Sequence, residues 1–448
     1  VGGALLILVA GGVLRCSGDQ GGEGGPGSLL DPGYRAYPND TTVQAPSRGR
    51  FARLRVSTAR SSLTAAQRED IRRLQSLGYA SGTAEPVTDQ VITVYRRDRV
   101  DTAPSFYTSG HGPEASLIDM SGNELHRWRF SLQQVWPEMP VSERVIDYWR
   151  RAHLFENGDL LVIFANTVRG IFKLDKGSNL IWANTGIATH HDLDVTDGGD
   201  IYVLTRKAHL VPRVHPELPI LEDFVTILDA GGRVRKSVST LEAMERSEYA
   251  HLWSSRLAEC KARLEDTDCR DIFHTNSVQL LDGRIADRVP AFRAGNVLTS
   301  FRHLNAIAVI DMELEQVVWL HTGDYRAQHD PRVIENGNLI LFDNRGRPGQ
   351  SRVLEIDPLS GETVWEYGGT PEAPFFSIWC GAATRLPNGN TLISESENGR
   401  AFEVTSDKEI VWEFYNPHRA GEDRQFVGVL FELVRLPSDF PIDWASNR

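Results

Sequence analysis

Four segments of this 448-residue chain hold side chains able to attack an electrophile, move a proton or bind a metal. They are His190-His191-Asp192-Leu193-Asp194, Phe273-His274-Thr275-Asn276-Ser277, Ser300-Phe301-Arg302-His303-Leu304-Asn305 and Gln328-His329-Asp330-Pro331-Arg332. Imidazole titrates near neutrality, so it can serve as nucleophile, acid, base or ligand. A guanidinium is a permanent positive fork that suits an oxyanion. One histidine alone is more often a hydrogen-bonded structural residue; several at matching places in a repeat carry more weight.

The elements between these segments make such a repeat. From about Val91 one phrase recurs: apolar residues, an Asp, a turn, then apolar residues ending in an aromatic. It reads Leu117-Ile118-Asp119 with Trp128, Leu174-Asp175 with Trp182, and Ile227-Leu228-Asp229 with Val234. It continues as Val309-Ile310-Asp311 with Trp319, Ile356-Asp357 with Trp365, and Val404-Thr405 with Trp412, which makes six copies. A Gly turn before an apolar strand interleaves with it: Asn157-Gly158-Asp159, Gly198-Gly199-Asp200, Gly295-Asn296, Asn336-Gly337-Asn338 and Asn388-Gly389-Asn390. Such pairs supply the positive φ of tight hairpin turns. Each unit is therefore two hairpins, and the fold class expected is all-β, a six-bladed β-propeller. The terminal tryptophans are expected to be core between blades.

Strand-end loops of a propeller converge on its central channel, and equivalent positions of a radial repeat lie on a ring. His191, His274 and His329 each precede a hairpin or an Ile-Asp phrase by a few residues, so the ring brings them face to face. Whether His190 or His191 looks into the channel stays open, because neighbouring strand residues point opposite ways. The stretch Ser237 to Cys269 reads as a charged helical insertion and Arg284 to Ala294 as a further loop; each is either a lid or an ordinary surface insertion.

The ordered set His-His-Asp, His-Thr-Asn-Ser, Arg-His-Leu-Asn-Ala-Ile, Gln-His-Asp-Pro-Arg and Leu-Pro-Asn-Gly-Asn-Thr-Leu-Ile-Ser-Glu-Ser resembles the bacterial arylsulfotransferase family, over roughly His153 to Pro417. The resemblance implies an enzyme that moves a sulfuryl group from a phenolic sulfate ester to a phenolic acceptor, with no nucleotide donor, through a sulfohistidine intermediate. It implies that His329 is the nucleophile, with His274, Arg302 and His191 in catalytic roles and Asn276, His190 and Asn344 as substrate contacts. No metal or cofactor is implied. The chain departs from the family before about Val91, where some members carry a β-sandwich, and between His274 and Arg302, where it is longer.

The residue types suit that chemistry. A neutral imidazole is nucleophilic near pH 7, whereas Lys is mostly protonated and Ser needs its own base. Charge grows on the sulfuryl oxygens and the departing phenoxide, so fixed donors such as Arg302 and Asn276 matter. Two other readings compete. His190, His191, Asp192 and Asp194 include metal-ligand types, although strand alternation splits them between faces. A non-catalytic propeller that binds a ligand or protein partner is the alternative that fold alone leaves open. A quinoprotein dehydrogenase propeller fits less well, its repeat pattern being different.

A net charge of -12 and a pI of about 5.6 lack the basic footprint of nucleic-acid binding. Among four cysteines there is no C-x-x-C pair for zinc. Cys260 and Cys269 are close enough for a local disulfide, which needs an oxidising compartment, and Cys380 reads as a buried thiol. Residues 1–15 are expected to be the remnant of a signal peptide or membrane anchor, 16–60 a flexible linker, 61–90 a helical spacer capped by Thr64 and Gln67, and 91–448 the propeller. The expected location is periplasmic or otherwise extracytoplasmic, with membrane contact only through the N-terminal segment.

Overall fold

Each recurring Asp becomes the first residue of a turn, because its carboxylate accepts backbone N–H groups just ahead of it. Asp119 takes those of Ser121 and Asn123 at 2.8 Å, and Asp175 those of Gly177 and Asn179 at 2.8 Å. In the Gly-turn phrases, Gly158, Gly337 and Gly389 hold φ of +85°, +84° and +85°. The computed structural model of the chain describes residues 51–53, 90–135, 148–165, 169–209, 211–214, 220–261, 267–371, 373–420 and 426–445. The spacer helix expected around Thr64 and the segment 1–50 lie outside the described residues.

These turns connect six sheets in a ring, the six-bladed propeller expected. Blades 2 to 5 run in chain order from their innermost strand outward: Arg151–Leu154 to Leu180–Asn184, Thr189–Val195 to Val234–Ser239, Thr275–Leu280 to Gln316–Thr322, and His329–Val333 to Thr363–Tyr367. Blade 6 spans Ala382–Arg385 to Ile410–Tyr415 and gains a fifth, outer strand, Ile92–Tyr95. Blade 1 takes its innermost strand from the other end of the chain, Leu430–Arg435, which pairs with Ser105–Ser109. This is why no Gly-turn phrase marks blade 1. Both ends of the propeller sequence thus close the ring through backbone ladders. Phe51–Arg53, within the stretch expected as linker, pairs with Phe426–Gly428 in a small separate sheet.

Blades are packed on both faces, so their middle strands are apolar throughout: Leu160, Leu161, Val162, Ile163 and Phe164 are all fully buried. The tryptophans lie between blades. Trp128 and Trp412 are completely enclosed and donate to the carbonyls of Gly158 and Met120 on the next blade, at 3.1 and 3.0 Å. Trp182, Trp319 and Trp365 are half-buried at the equivalent seams.

The helical insertion is present between blades 3 and 4, as α1 (Thr240–Glu245), α2 (Ala250–Lys261) and α3 (Thr267–Arg270). Leu241, Met244 and Trp253 pack into the cluster shared by the two blades, and Cys260 is joined to Cys269 by a disulfide. The second insertion is no surface loop: Ile285, Val289 and Phe292 are buried between blades 4 and 5. It joins the first two strands of blade 4 at the end away from His274, so it does not cover that residue. Among the described residues no helix is long and apolar enough to cross a membrane.

Trp412→Ala is expected to lower unfolding free energy by about 3–5 kcal/mol, while Val364→Ala at an exposed position changes it by less than about 0.5 kcal/mol. Chemical denaturation of the two variants measures the difference, and equal effects would contradict the seam packing described.

Candidate active site

All six innermost strands begin at the same end of the channel, and residues at or near their starts line one small cavity that opens to solvent. His191, Asn276 and His329 line it together with Arg150, Cys380 and Phe431. Asp192, Arg151 and Asp330 line it as well. The strands turn these side chains inward by bulging: register shifts occur between Thr189 and Leu193, Thr275 and Val278, and His329 and Arg332. His191, His274 and Asp330 hold φ of +54°, +49° and +52°. The bulge settles which histidine of the pair faces the cavity. It is His191. Gly381 also lines the cavity at φ +147°, where a Cβ would lie 2.6 Å from the Phe342 ring.

His329 is locked in one tautomer. Its Nδ1 lies 2.7 Å from Asn344 Oδ1 and 3.0 Å from the Ala327 carbonyl. The orientation of the Asn344 amide follows from its Nδ2, which donates to the carbonyls of Ser377, Trp379 and Cys380 at 2.8, 3.1 and 2.7 Å. Both partners of Nδ1 are therefore acceptors, so Nδ1 carries the hydrogen and Nε2 the lone pair. Burial, then the Arg302 guanidinium, push protonation of His329 well below its ordinary range, and Arg150 and His274 act in the same direction against the opposing Asn344 bond.

His274 Nδ1 donates to Asp271 Oδ2 at 2.6 Å. Burial opposes ionisation of Asp271, but His274 and Arg206 outweigh it and hold the carboxyl far below the usual carboxylate range. The His274 ring lies 4.9 Å from that of His191 and 5.0 Å from that of His303. His303 hydrogen-bonds the Asp271 carbonyl through Nδ1 at 2.6 Å, and Arg302 Nη1 donates to its Nε2 at 3.0 Å. Burial and then His274 lower His303 to about 3. Arg302 follows the second strand of blade 4 in a 3-10 turn that ends at Asn305 with φ +49°. Its Cζ lies 5.7 Å from the centre of the Trp379 ring.

His191 is held neutral chiefly by burial and next by Arg150. Its Nδ1 meets His190 Nδ1 at 2.8 Å, and the latter also receives Arg206 Nη2 at 3.0 Å. His190 Nδ1 thus acts as acceptor, His191 donates to it, and His191 Nε2 keeps a lone pair. Asn276 Nδ2 donates to the Gln328 carbonyl at 2.8 Å, while its buried Oδ1 has no hydrogen-bond partner.

The structure therefore brings His191, Asn276 and His329 to the cavity wall; His274 and Arg302 do not line it, but the His274 ring lies against His191 and both charges act on His329. His190 and Asn344, expected as substrate contacts, lie elsewhere. His190 is turned toward Arg206 and Asp223, and Asn344 is fully buried with its amide engaged by His329 and three carbonyls. Sequence reasoning missed Asp271 and Arg150. Asp271 arrives on the helical insertion and gave no pattern. Arg150 occupies in blade 2 the ring position that the histidines hold in later blades, so the repeat register was its signal. The metal-ligand types His190, His191, Asp192 and Asp194 do not gather: Asp192 is held by Arg151 at 2.9 Å and Arg332 at 2.8 Å, and Asp194 accepts the Leu280 N–H.

The cavity is lined by the imidazoles of His191 and His329, the guanidiniums of Arg150 and Arg151 and the carboxylates of Asp192 and Asp330, at the mouth of a propeller channel. The arylsulfotransferase (ASST) family profile matches residues 151–417, more than half of the chain, and the chain belongs to that family. No curated protein matches its sequence. Among solved structures it is similar to a protein of unknown function from Bacteroides caccae (10% identity, TM-score 0.48, 74% of this chain and 98% of that one). It is also similar to virginiamycin B lyase from Staphylococcus aureus (14%, 0.40, 73% and 85%) and to apo AztD from Citrobacter koseri (10%, 0.39, 74% and 98%).

In 15N-histidine spectra His329 should remain the neutral Nδ1–H form as pH falls through 6.5, the ordinary midpoint. The sign follows from burial and neighbouring cations, both of which disfavour the imidazolium. A titration of that ring centred at 6.5 or above would contradict the lock.

Proposed function

We propose that this protein transfers a sulfuryl group from an aryl sulfate to a phenol through a sulfated His329. The observation that carries the proposal is the lone pair of a neutral imidazole presented to a small cavity bordered by guanidiniums. Family membership implies the substrate class, small-molecule aryl sulfates and phenols.

In the first half-reaction His329 Nε2 attacks sulfur, the S–N bond forms, and the S–O bond to the aryl group breaks. The electron pair leaves on the phenoxide, which takes a proton from His274. Nδ1–H stays in place, and the Asn344 and Ala327 oxygens stabilise the positive ring that results. Asp271 holds His274 by its Nδ1, an arrangement in which a buried carboxylate steadies an imidazolium and fixes its aim. His191, with its acceptor lone pair, orients the phenol hydroxyl. In the second half-reaction the acceptor phenol gives its proton back to His274 and its oxygen attacks sulfur. The S–N bond breaks and the pair returns to Nε2. Aryl esters suit this site because a phenol, with a pKa of about 10, departs far more readily than an alkoxide. Arg302 offsets charge growing on the sulfuryl oxygens.

The Cys260 to Cys269 disulfide favours an oxidising, extracytoplasmic location for the protein.

The test is turnover of a chromogenic phenyl sulfate with and without a phenol acceptor, joined to mass spectrometry of quenched enzyme. Acceptor-dependent release and sulfation at His329 are expected, with both abolished in His329→Asn and the rate reduced roughly 10²-fold or more in Asp271→Asn. Release without acceptor would mean a sulfatase, sulfation elsewhere a different nucleophile, and silence a binding protein.

A further inference from the structure

Arg150 takes no part in the steps above, yet its setting differs from that of every other buried arginine among the described residues. Arg206, Arg352, Arg400 and Arg435 each face a carboxylate, at 3.6, 2.7, 2.9 and 3.2 Å. Arg150 is only 8% exposed, and among the described residues no carboxylate lies within 4.0 Å of its guanidinium. Its Nη1 donates to Cys380 Sγ at 3.2 Å, a weak acceptor. Its Cζ sits 4.5 Å from the centre of the Phe431 ring, itself stacked 5.3 Å from Tyr148. The aromatic platform positions the cation without neutralising it.

A buried charge is costly unless something of opposite sign meets it. Among the described residues no carboxylate pairs with it, those of Asp192 and Asp330 in the same cavity being engaged by Arg151 and Arg332, and the side chain lines the cavity beside His329. We propose that Arg150 is a second anion-binding arginine, which grips the anionic head of the aryl sulfate together with Arg302. This rests on the transferase reading for the identity of the ligand, while the anion site itself stands on geometry alone. Two forks suit a group whose charge is spread over three oxygens. Arg150 also suppresses protonation of both His191 and His329. It therefore keeps the nucleophile neutral while drawing in the donor.

Binding of an aryl sulfonate tests this, since that compound offers the same anionic head with nothing to transfer. Calorimetry should show binding to the wild-type protein, at least tenfold weaker binding to Arg150→Met, and an intermediate loss in Arg150→Lys, which retains the charge but not the fork. A neutral aryl sulfonamide should not discriminate between wild type and variants. Thermal melting establishes that Arg150→Met is folded; if it is not, Arg150→Lys decides, with threefold or greater weakening expected. Equal sulfonate affinity in wild type and a folded variant, or no sulfonate binding by wild type, would overturn the proposal. Wild-type protein that binds the sulfonate through Arg150 but neither transfers sulfate nor becomes sulfated on His329 would sink the transferase reading and leave the anion site standing.

Discussion

Closing six sheets into a ring forces the first residues of six innermost strands around one axis, and the site is a consequence of that crowding. Side chains far apart in sequence, from Arg150 to Phe431, become neighbours because each occupies the same place in its blade. The constraint extends to the seams. Leu430–Arg435 must complete blade 1 before Phe431 can support Arg150, so ring closure and formation of the cavity are one event. The same holds for Asn344, whose amide reaches the carbonyls of Ser377, Trp379 and Cys380 just ahead of blade 6. The tautomer of His329 is thereby set by contact between two blades.

The charged residues that line the cavity are tied into an ionic network with Arg332 and Glu432. Arg151 meets Asp192 at 2.9 Å, Asp330 at 3.6 Å, and also Glu432, while Arg332 meets Asp192 at 2.8 Å and Asp330 at 2.7 Å. Three carboxylates against two guanidiniums would leave an excess negative charge, and burial pushes the Glu432 carboxyl up to about 7, which relieves it. Such networks add little net stability, because desolvation offsets attraction. Their effect here is spatial. Asp192 and Asp330 each follow a site histidine in sequence, and by engaging Arg151 and Arg332 they are kept from pairing with Arg150.

The blades were legible in the sequence because their turns are local. An Asp accepting N–H groups two and four residues ahead, or an Asn-Gly pair at positive φ, needs nothing from the rest of the molecule. The registers of His191, His274 and His329 followed from counting within those units. What depended on distant partners was hidden. Asp271 is placed by helices packed against two blades, and only the bulge at His191 separates it from His190. In the sequence the loop from Arg284 to Ala294 reads as a surface or lid segment, but Ile285, Val289 and Phe292 are core, a fact that lies in what they pack against.

Backbone strain shows where the fold yields to the site. Among the described residues nine that are not glycine have positive φ. Ser178, Glu315 and Lys408 are in hairpin turns, where the conformation is routine. The other six are His191, His274, Asn305, Ala327, Asp330 and Cys380, all within or beside the segments that carry the site. Each such residue costs on the order of 1–3 kcal/mol, and a regular strand at these places would be more stable. A regular strand would also alternate its side chains, sending His191 or Asp192 to the wrong face. Two adjacent residues, His191 and Asp192, then could not both line the cavity as they do. The bulges allow both, and the packing of six apolar seams compensates for their strain.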